Sequence, residues 1–177
     1  MKLIGKGAFG KVTLGLHKLT GKYVAIKSID KDCLKDDFSR KKVLREIYIL
    51  KKIKHVNVIR LLEVFETTKH VLIVMEYAGN GDLLHCVKNR GRLTEDQAMP
   101  IFRQVVYGLA HIHSRNILHR DIKLDNILLD ADGGVKICDF GVSKIIDKAV
   151  VIYDQCGTPA YIAPEIISDV VRERHDW

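Results

Sequence analysis

The first 30 positions read as strands: an apolar start, a glycine-rich turn, Val12-Thr13-Leu14 and then the apolar run Tyr23-Val24-Ala25-Ile26. Thr20-Gly21 between the two runs predicts a hairpin. The pattern then changes. Over 37–54, Val43, Ile47, Leu50 and Lys54 follow helical spacing in a segment that is otherwise mainly charged. Glu46 falls on the same inward stripe as Val43 and Leu50, where a carboxylate needs a cationic partner. Two further strands are predicted at 58–66 and 70–77, and Ala78-Gly79-Asn80-Gly81 then breaks the pattern as a flexible connector. Beyond it the pattern turns helical. Thr94-Glu95-Asp96-Gln97 is a capping-box signal for a helix running to about Ser114. Pro100 inside that helix is expected to cost a hydrogen bond or bend it slightly. Two short strands bracket Gly133-Gly134. Strands thus dominate the first half and helices the second, with no internal repeat or low-complexity segment.

Composition narrows the classes without naming one. A length of 177 residues predicts one domain, or two small lobes, and 47% apolar residues suffice for a sizeable core. No apolar run approaches the ~18 residues of a membrane span. Met1-Lys2-Leu3-Ile4-Gly5 is too short an apolar start for a signal peptide. Cys33, Cys86, Cys138 and Cys156 lack metal-type spacing and read as reduced thiols. The net charge of +7 is uneven: residues 1–60 carry 16 Lys/Arg and 5 Asp/Glu, and residues 61–177 carry 13 and 17. A basic first third could attract nucleic acid. The lysines lack interleaved aromatics, however, so a solvated basic surface is the favoured reading.

The chemistry sits in four places. Gly5-Lys6-Gly7-Ala8-Phe9-Gly10-Lys11-Val12 is a glycine loop whose backbone could approach phosphates. Alone it is weak: a tight structural hairpin or a dinucleotide fold would use the same spacing, although no helix is predicted to start at Gly10. Lys27 ends a strand on the face of Ala25 and would ordinarily meet solvent, but it is the natural partner for Glu46. In His119-Arg120-Asp121-Ile122-Lys123-Leu124-Asp125-Asn126, a carboxylate, an ammonium and a carboxamide fall within six residues. Asp121 can orient a hydroxyl and take its proton. Asn126 and Asp139 offer the hard oxygens that Mg²⁺ prefers, the equipment of phosphoryl transfer. His119 reads as a packed residue, Cys138 as a small apolar filler and Met75 as a core methionine. His111 and His113, two apart on a helix, do not face each other.

Taken together, these residues resemble a eukaryotic protein kinase. The matching pieces are the loop at 5–12, Val24-Ala25-Ile26-Lys27, Glu46, His119-Arg120-Asp121, Asn126, Asp139-Phe140-Gly141 and Ala163-Pro164-Glu165. The resemblance implies an α+β, bilobal fold. An N-lobe over 1–77 would hold an antiparallel sheet and one main helix, 78–81 would be the hinge, and 82–177 a partial, mainly helical C-lobe. It implies ATP and Mg²⁺ as cofactors. The backbone of Gly5, Lys6, Gly7 and Gly10 would cover the phosphates, and Lys27, held by Glu46, would contact them. Val12, Ala25 and Leu128 would sandwich adenine beside Met75, with hinge contacts from Glu76 and Ala78 and a ribose or substrate cation at Asp82. Asn126 and Asp139 would bind the metal, Asp121 would act as base or orienter, and Lys123 would steady the moving phosphoryl group. Leu50, Leu61, Phe140 and His119 would stack as a spine. Lys123, with Gly157-Thr158-Pro159-Ala160-Tyr161, points to serine/threonine specificity and places Thr158 near Asp121 and Lys123. The resemblance is strongest to the calcium/calmodulin-dependent and energy-sensing kinase groups. The implied partner is a protein with a Ser/Thr acceptor, with basic upstream residues met by Asp125 and Asp82. Neither nucleic acid nor membrane is implied, and the implied location is cytoplasmic, with the nucleus also open.

Two departures follow. Where the resemblance implies an activating phosphosite the chain has Asp154, which cannot be phosphorylated but offers a permanent charge that could partly order the loop with Arg120, while Ser143 and Tyr153 remain candidate modification sites. The sequence stops at Trp177, before helices that the resemblance implies, which predicts an unpartnered Glu165, exposed apolar surface on the 95–114 helix and low activity for the isolated chain. The alternative is a weakly active or inactive nucleotide-binding or regulatory fragment. A dinucleotide-binding oxidoreductase has only the glycine loop in its favour.

Overall fold

The computed structural model describes residues 2–7, 10–146 and 156–167. Tyr153, Asp154, the side chain of Glu165 and residues 168–177 lie outside the described residues, as do Ala8 and Phe9 of the glycine loop. The first half is a five-stranded antiparallel sheet of β1 (Lys2–Gly7), β2 (Gly10–His17), β3 (Lys22–Asp30), β4 (Leu61–Glu66) and β5 (His70–Glu76). Its order is β1-β2-β3-β5-β4. The predicted hairpin is formed: Gly21 adopts φ 65° and its N–H donates to His17 O at 2.8 Å.

Helix α1 (Asp37–Lys52) crosses between β3 and β4 in sequence. Asp36 caps it by accepting from Ser39 N, while Lys51 and Lys52 complement the dipole in its last turn. Its predicted inward stripe is the buried one: Val43, Glu46, Ile47 and Leu50, with Ile49 beside them. The helix ends two residues before the predicted 54, because Ile53 turns into extended backbone and is buried. The strand predicted from 58 starts instead at Leu61. Val58 and Ile59 leave the large sheet to pair with the other half: Ile59 N donates to Ile137 O at 2.8 Å and Ile137 N to Asn57 O at 2.9 Å.

The connector at 78–81 departs from the flexible link expected of Gly and Asn. Asn80 N donates to Leu129 O at 2.9 Å, its Nδ2 to Asp130 O at 2.8 Å, and Leu129 N returns a bond to Gly81 O at 2.8 Å. After it come α2 (Leu83–Arg90) and α3 (Glu95–His113). The Thr94/Gln97 capping box of α3 is complete. Pro100 does not end the helix, and Gln104 Nε2 donates to Pro100 O at 3.3 Å. Short pairs β6 (Ile117–Leu118) with β9 (Lys144–Ile145), and β7 (Ile127–Leu129) with β8 (Val135–Ile137), lie against the helices, and α4 (Pro164–Ile167) follows. α3 approaches so closely that a Cβ on Gly108 would fall 2.8 Å from Ile137 Cδ1 and 2.9 Å from Asn57 O. One continuous core, including fully buried Ile29, Ile49, Ile73, Ile112, Ile117 and Ile137, joins the two halves. Among the described residues, no helix is long and apolar enough to cross a membrane.

Candidate active site

Strand register lines up the candidates carried by the sheet. Residues opposite one another on antiparallel strands share a face. Gly5 lies opposite Val12, Val12 opposite Lys27, and Lys27 opposite Ile73. The next row is Leu14, Ala25, Met75 and Leu61. With side chains two apart pointing the same way, Val12, Ala25, Lys27 and Met75 stand on one face. Lys6 pairs with Lys11 on the opposite face, leaving only its backbone to serve this one. Gly7 pairs with Gly10. A Cβ on Gly10 would sit 2.1 Å from Ser28 O, so the bare backbone there is a packing requirement. A Cβ on Gly5 would meet only Val12, at 3.7 Å or more, so that position is open.

Lys27 finds its partner on α1: Nζ to Glu46 Oε1 is 2.5 Å, with the side chains 12% and 5% exposed. Burial of both groups makes the pair obligatory rather than decorative. A Cβ on Gly141 would lie 3.9 Å from Glu46 Oε2, so Asp139-Phe140-Gly141 arrives beside this ion pair. Phe140 is buried and packs edge-on to His119, ring centroids 4.9 Å apart. Leu50 lies in the same core and Leu61 packs against it.

The second centre is built from the loop after β6. Asp121 Oδ1 accepts from the Thr158 hydroxyl at 2.7 Å, and Lys123 Nζ donates to that hydroxyl at 2.7 Å. Lys123 Nζ is also 3.1 Å from Asp121 Oδ2. Asn126 Nδ2 donates to both Asp121 O, at 2.8 Å, and Asp121 Oδ2, at 2.9 Å. Burial opposes ionisation of Asp121, but bonds from Thr158, Lys123 and Asn126 and the Lys123 charge outweigh it, leaving the carboxyl below its ordinary value. His119 anchors this loop from inside. Its Nδ1 accepts from Asp121 N at 3.3 Å, which leaves Nε2–H to donate to Cys138 O at 2.9 Å. Burial holds the ring neutral by lowering its pKa, against the backbone bond and the charges of Asp139 and Asp121. Arg120 and Asp139 both adopt positive φ, 67° and 64°. Such conformations cost energy and persist where surroundings dictate them. Here Arg120 Nε donates to Val142 O at 2.7 Å, and Asp139 Oδ1 accepts from Gly141 N at 3.3 Å.

Ser143 is not the modification site the sequence left open. It is 1% exposed and its hydroxyl donates to His119 O at 3.0 Å. Cys138 is the filler expected: burial, with Asp139 and Asp82 nearby, pushes its thiol up to about 12 against the charge of Lys27. That thiol therefore feels groups from the sheet, the cap of α2 and the Asp139 loop together. Asp82 caps α2, accepting from His85 N at 2.7 Å, and bridges to Leu128 on β7. Ala78 is buried. Glu76 has a side-chain role that sequence reasoning missed: it accepts from Arg60 N at 2.7 Å and pairs with Lys136 Nζ of β8 at 3.1 Å. Asn57 and Gln104 were missed as well. Asn57 Nδ2 bonds Gln104 Oε1 at 3.0 Å and Val135 O at 3.1 Å, stitching the 57–60 segment to α3 and β8.

Similarity to known proteins now has a geometry to attach to. The family model described as "Protein kinase domain" matches residues 1–177. The chain belongs to the protein kinase domain family. NUAK family SNF1-like kinase 2 of Rattus norvegicus is 44% identical over 168 residues, covering 95% of this chain and 26% of that protein. A probable serine/threonine-protein kinase of Dictyostelium discoideum is 42% identical over 170 residues, 96% of this chain and 20% of that protein. The SNF1-related protein kinase catalytic subunit alpha KIN12 of Arabidopsis thaliana is 41% identical over 167 residues, 94% and 34%. The chain thus spans between a fifth and about a third of the length of these curated relatives. Their names carry the kinase assignment, in one case explicitly serine/threonine, that the resemblance implied, and two of them carry the term SNF1.

The donor chemistry of the kinase-family site suits a magnesium nucleotide. Asn126 uses its nitrogen on Asp121, which directs its amide oxygen elsewhere, and Asp139 is exposed with one oxygen on Gly141 N. Among the described residues no group of three or more His, Cys, Asp or Glu gathers into a metal cage. Mg²⁺ ordinarily binds through one or two protein oxygens plus phosphates and water, and this donor set matches that habit.

Proposed function

We propose that this chain carries the catalytic centre of a serine/threonine protein kinase, transferring the ATP γ-phosphoryl group to a protein hydroxyl. One observation supports this most: how the loop treats an alcohol. The Thr158 hydroxyl donates to Asp121 while accepting from Lys123. An acceptor serine or threonine needs that same pair of contacts, one to take its proton and one to balance charge on the oxygen. In this reading Asp121 orients and deprotonates the acceptor, and Lys123 steadies the moving phosphoryl group. Lys27, held by Glu46, grips the phosphates under the backbone of Gly5, Lys6, Gly7 and Gly10. Val12, Ala25, Met75 and Leu128 face the base, Glu76 and Ala78 lend backbone at the hinge, and Asp82 meets the ribose. Asn126 and Asp139 would hold Mg²⁺, which when bound neutralises phosphate charge. The hinge at 78–81 separates an N-lobe over 1–77 from the C-lobe portion that begins at 82.

Exposed Asp125 favours basic residues upstream of the acceptor, and a cytoplasmic or nuclear setting fits the cysteines. Two measurements test the reading. Mg·ATP should bind the chain and be lost in Lys27→Met. Phosphorylation of a Ser/Thr peptide library by the longer protein containing this chain should vanish in Asp121→Asn. Turnover indifferent to Asp121→Asn sinks the assignment, and nucleotide binding without Asp121-dependent turnover selects the regulatory fragment instead.

A further inference from the structure

The tip of the β2–β3 hairpin carries apolar surface and charge to which the nucleotide site gives no role. Residues 16–23 are all exposed. Among the described residues Leu19 is the most exposed large apolar side chain, at 92%, with Leu16 at 57% and Tyr23 at 60%. Gly21 N and Thr20 N both donate to His17 O, at 2.8 and 3.2 Å, and the Thr20 hydroxyl shares a 2.7 Å hydrogen bond with His17 Nδ1. The turn is therefore closed by its own bonds, and Leu19 is held out at its apex instead of folding back. Leu16 stands opposite Tyr23, so the two share one face beside it. Lys18 and Lys22 flank Leu19 in sequence, and exposed Lys2, opposite Leu14, borders the Leu16 side. Residues 1–29 hold six lysines and no Asp or Glu. The carboxylate nearest to the tip in the strand register, Glu76 opposite Val24, is already paired with Lys136.

We propose that this hairpin tip docks on an anionic membrane surface, with Leu19 entering the acyl boundary, Lys18 and Lys22 meeting the headgroups and Tyr23 lying at the interface. Exposed leucines scattered singly are ordinary. Here one sits at the apex of a closed turn, between two cations, with an aromatic ring alongside. Tyrosine favours the membrane–water boundary, where its ring is buried and its hydroxyl stays wet. Shape decides between occupants. A convex tip offers a partner helix no groove to lie in, whereas a bilayer yields around an apolar protrusion. Nucleic acid would use the lysines and leave Leu19 in water. A single apolar anchor holds a protein only marginally, so the lysines supply the second signal that stable attachment needs. Each lysine near an anionic surface strengthens binding about fivefold. The contact is peripheral, since no described helix is long and apolar enough to cross a membrane. It stands independently of the kinase reading.

The test sediments the 177-residue chain with vesicles of phosphatidylcholine, alone or mixed with phosphatidylserine. The chain should follow the mixed vesicles, less so as salt rises, and leave the neutral ones. Leu19→Ser should weaken that binding about tenfold or more, and Lys18→Gln and Lys22→Gln about fivefold each. All three side chains are exposed, so circular dichroism should stay unchanged. Leu19→Trp should keep the binding, and its emission should shift to the blue on the mixed vesicles, beyond any change in the parent chain with its own Trp177. Binding indifferent to Leu19→Ser, or a Leu19→Trp emission that the vesicles leave unmoved, would overturn the proposal. Equal affinity for soluble polyglutamate or heparin would do the same by reducing the tip to a solvated basic patch. Loss of vesicle binding in the double variant Lys41→Glu with Arg45→Glu, but not in Leu19→Ser, would place the contact on α1 and sink it as well.

Discussion

The two charged centres of this molecule are held in different ways. The Lys27–Glu46 pair joins a strand to a helix 19 residues later through a single 2.5 Å contact. The Asp121 centre draws on Lys123 and Asn126 from one short loop, with Thr158 closing it, and each of Asp121's carboxylate oxygens has a partner. Losing any one contact in the loop leaves others in place. A shift of α1, by contrast, breaks the Lys27–Glu46 contact itself. The first centre therefore depends on one contact between two elements, and the second on several contacts gathered around one loop.

The largest expected effect probes chemistry against architecture. Asp121→Asn keeps an acceptor for Thr158 and the loop's shape but removes the base. Turnover by the longer protein should fall about 10²–10⁴-fold, while the melting temperature of the chain drops only by the modest stability that the ionised carboxylate lends. A large fall in melting temperature would mean that the loop depends on this charge for its structure, against the contrast drawn above.

Next comes the sheet-side pair. Lys27→Met strands a buried carboxylate, and breaking such a pair costs about 3–5 kcal/mol. Denaturant unfolding should show that loss, and the double change Lys27→Met with Glu46→Leu should recover much of it. Equal destabilisation in the single and double variants would show that the pair is not what fixes α1. Smaller again is the contrast inside the glycine loop. Gly10→Ala drives a Cβ against Ser28 O and should cost about 1–3 kcal/mol. Gly5→Ala meets only Val12 and should stay within about 0.5 kcal/mol in stability, while weakening Mg·ATP binding. Equal unfolding costs for the two would remove the distinction between a packing glycine and an open one.

What the sequence made legible follows the same divide. Apolar runs located β2 and β3, and helical spacing located α1, whose stripe Val43, Ile47 and Leu50 is buried while Lys41, Arg45 and Lys52 are exposed; the capping box marked the start of α3. Glu46 on an apolar stripe and Lys27 on a strand named each other because a buried charge requires its opposite. The motif at 119–126 was readable because its parts are neighbours in the chain. Contacts made by ordinary polar residues at long range left no such mark. Nothing local to Asn57, Gln104 or Lys136 announces a bond to the other half, since each would be equally at home in water. The same holds for the connector: Gly and Asn predict freedom, and only the position of β7 shows where Asn80 and Gly81 spend their hydrogen bonds. Val58 and Ile59 look like strand because they are strand-like in composition; their partner, Ile137, lies far along the chain.

The smallest expected effect is a pH dependence, and it belongs to the loop centre. Burial lowers the pKa of His119 from its ordinary 6.5, so the folded chain holds the ring neutral where the unfolded chain begins to protonate. Below pH 6.5 the unfolded state therefore binds the extra proton, and stability must fall with pH until the lowered folded value is passed. Asp121 acts on a lower window. Its carboxyl is held below 3.8, so the stability it lends is present above that pH and is lost as pH drops through its folded value. Melting curves should thus soften first as pH falls below 6.5, then again in strong acid. His119→Phe removes the first step by replacing the titrating ring with an apolar one. It also deletes the bonds to Cys138 O and Asp121 N, so its melting temperature should be lower at neutral pH yet flatter across the upper window. An undiminished slope below 6.5 in that variant would assign the step to another group, with His111, whose pKa is also lowered by burial and by the charges of Arg115 and His55, next in line.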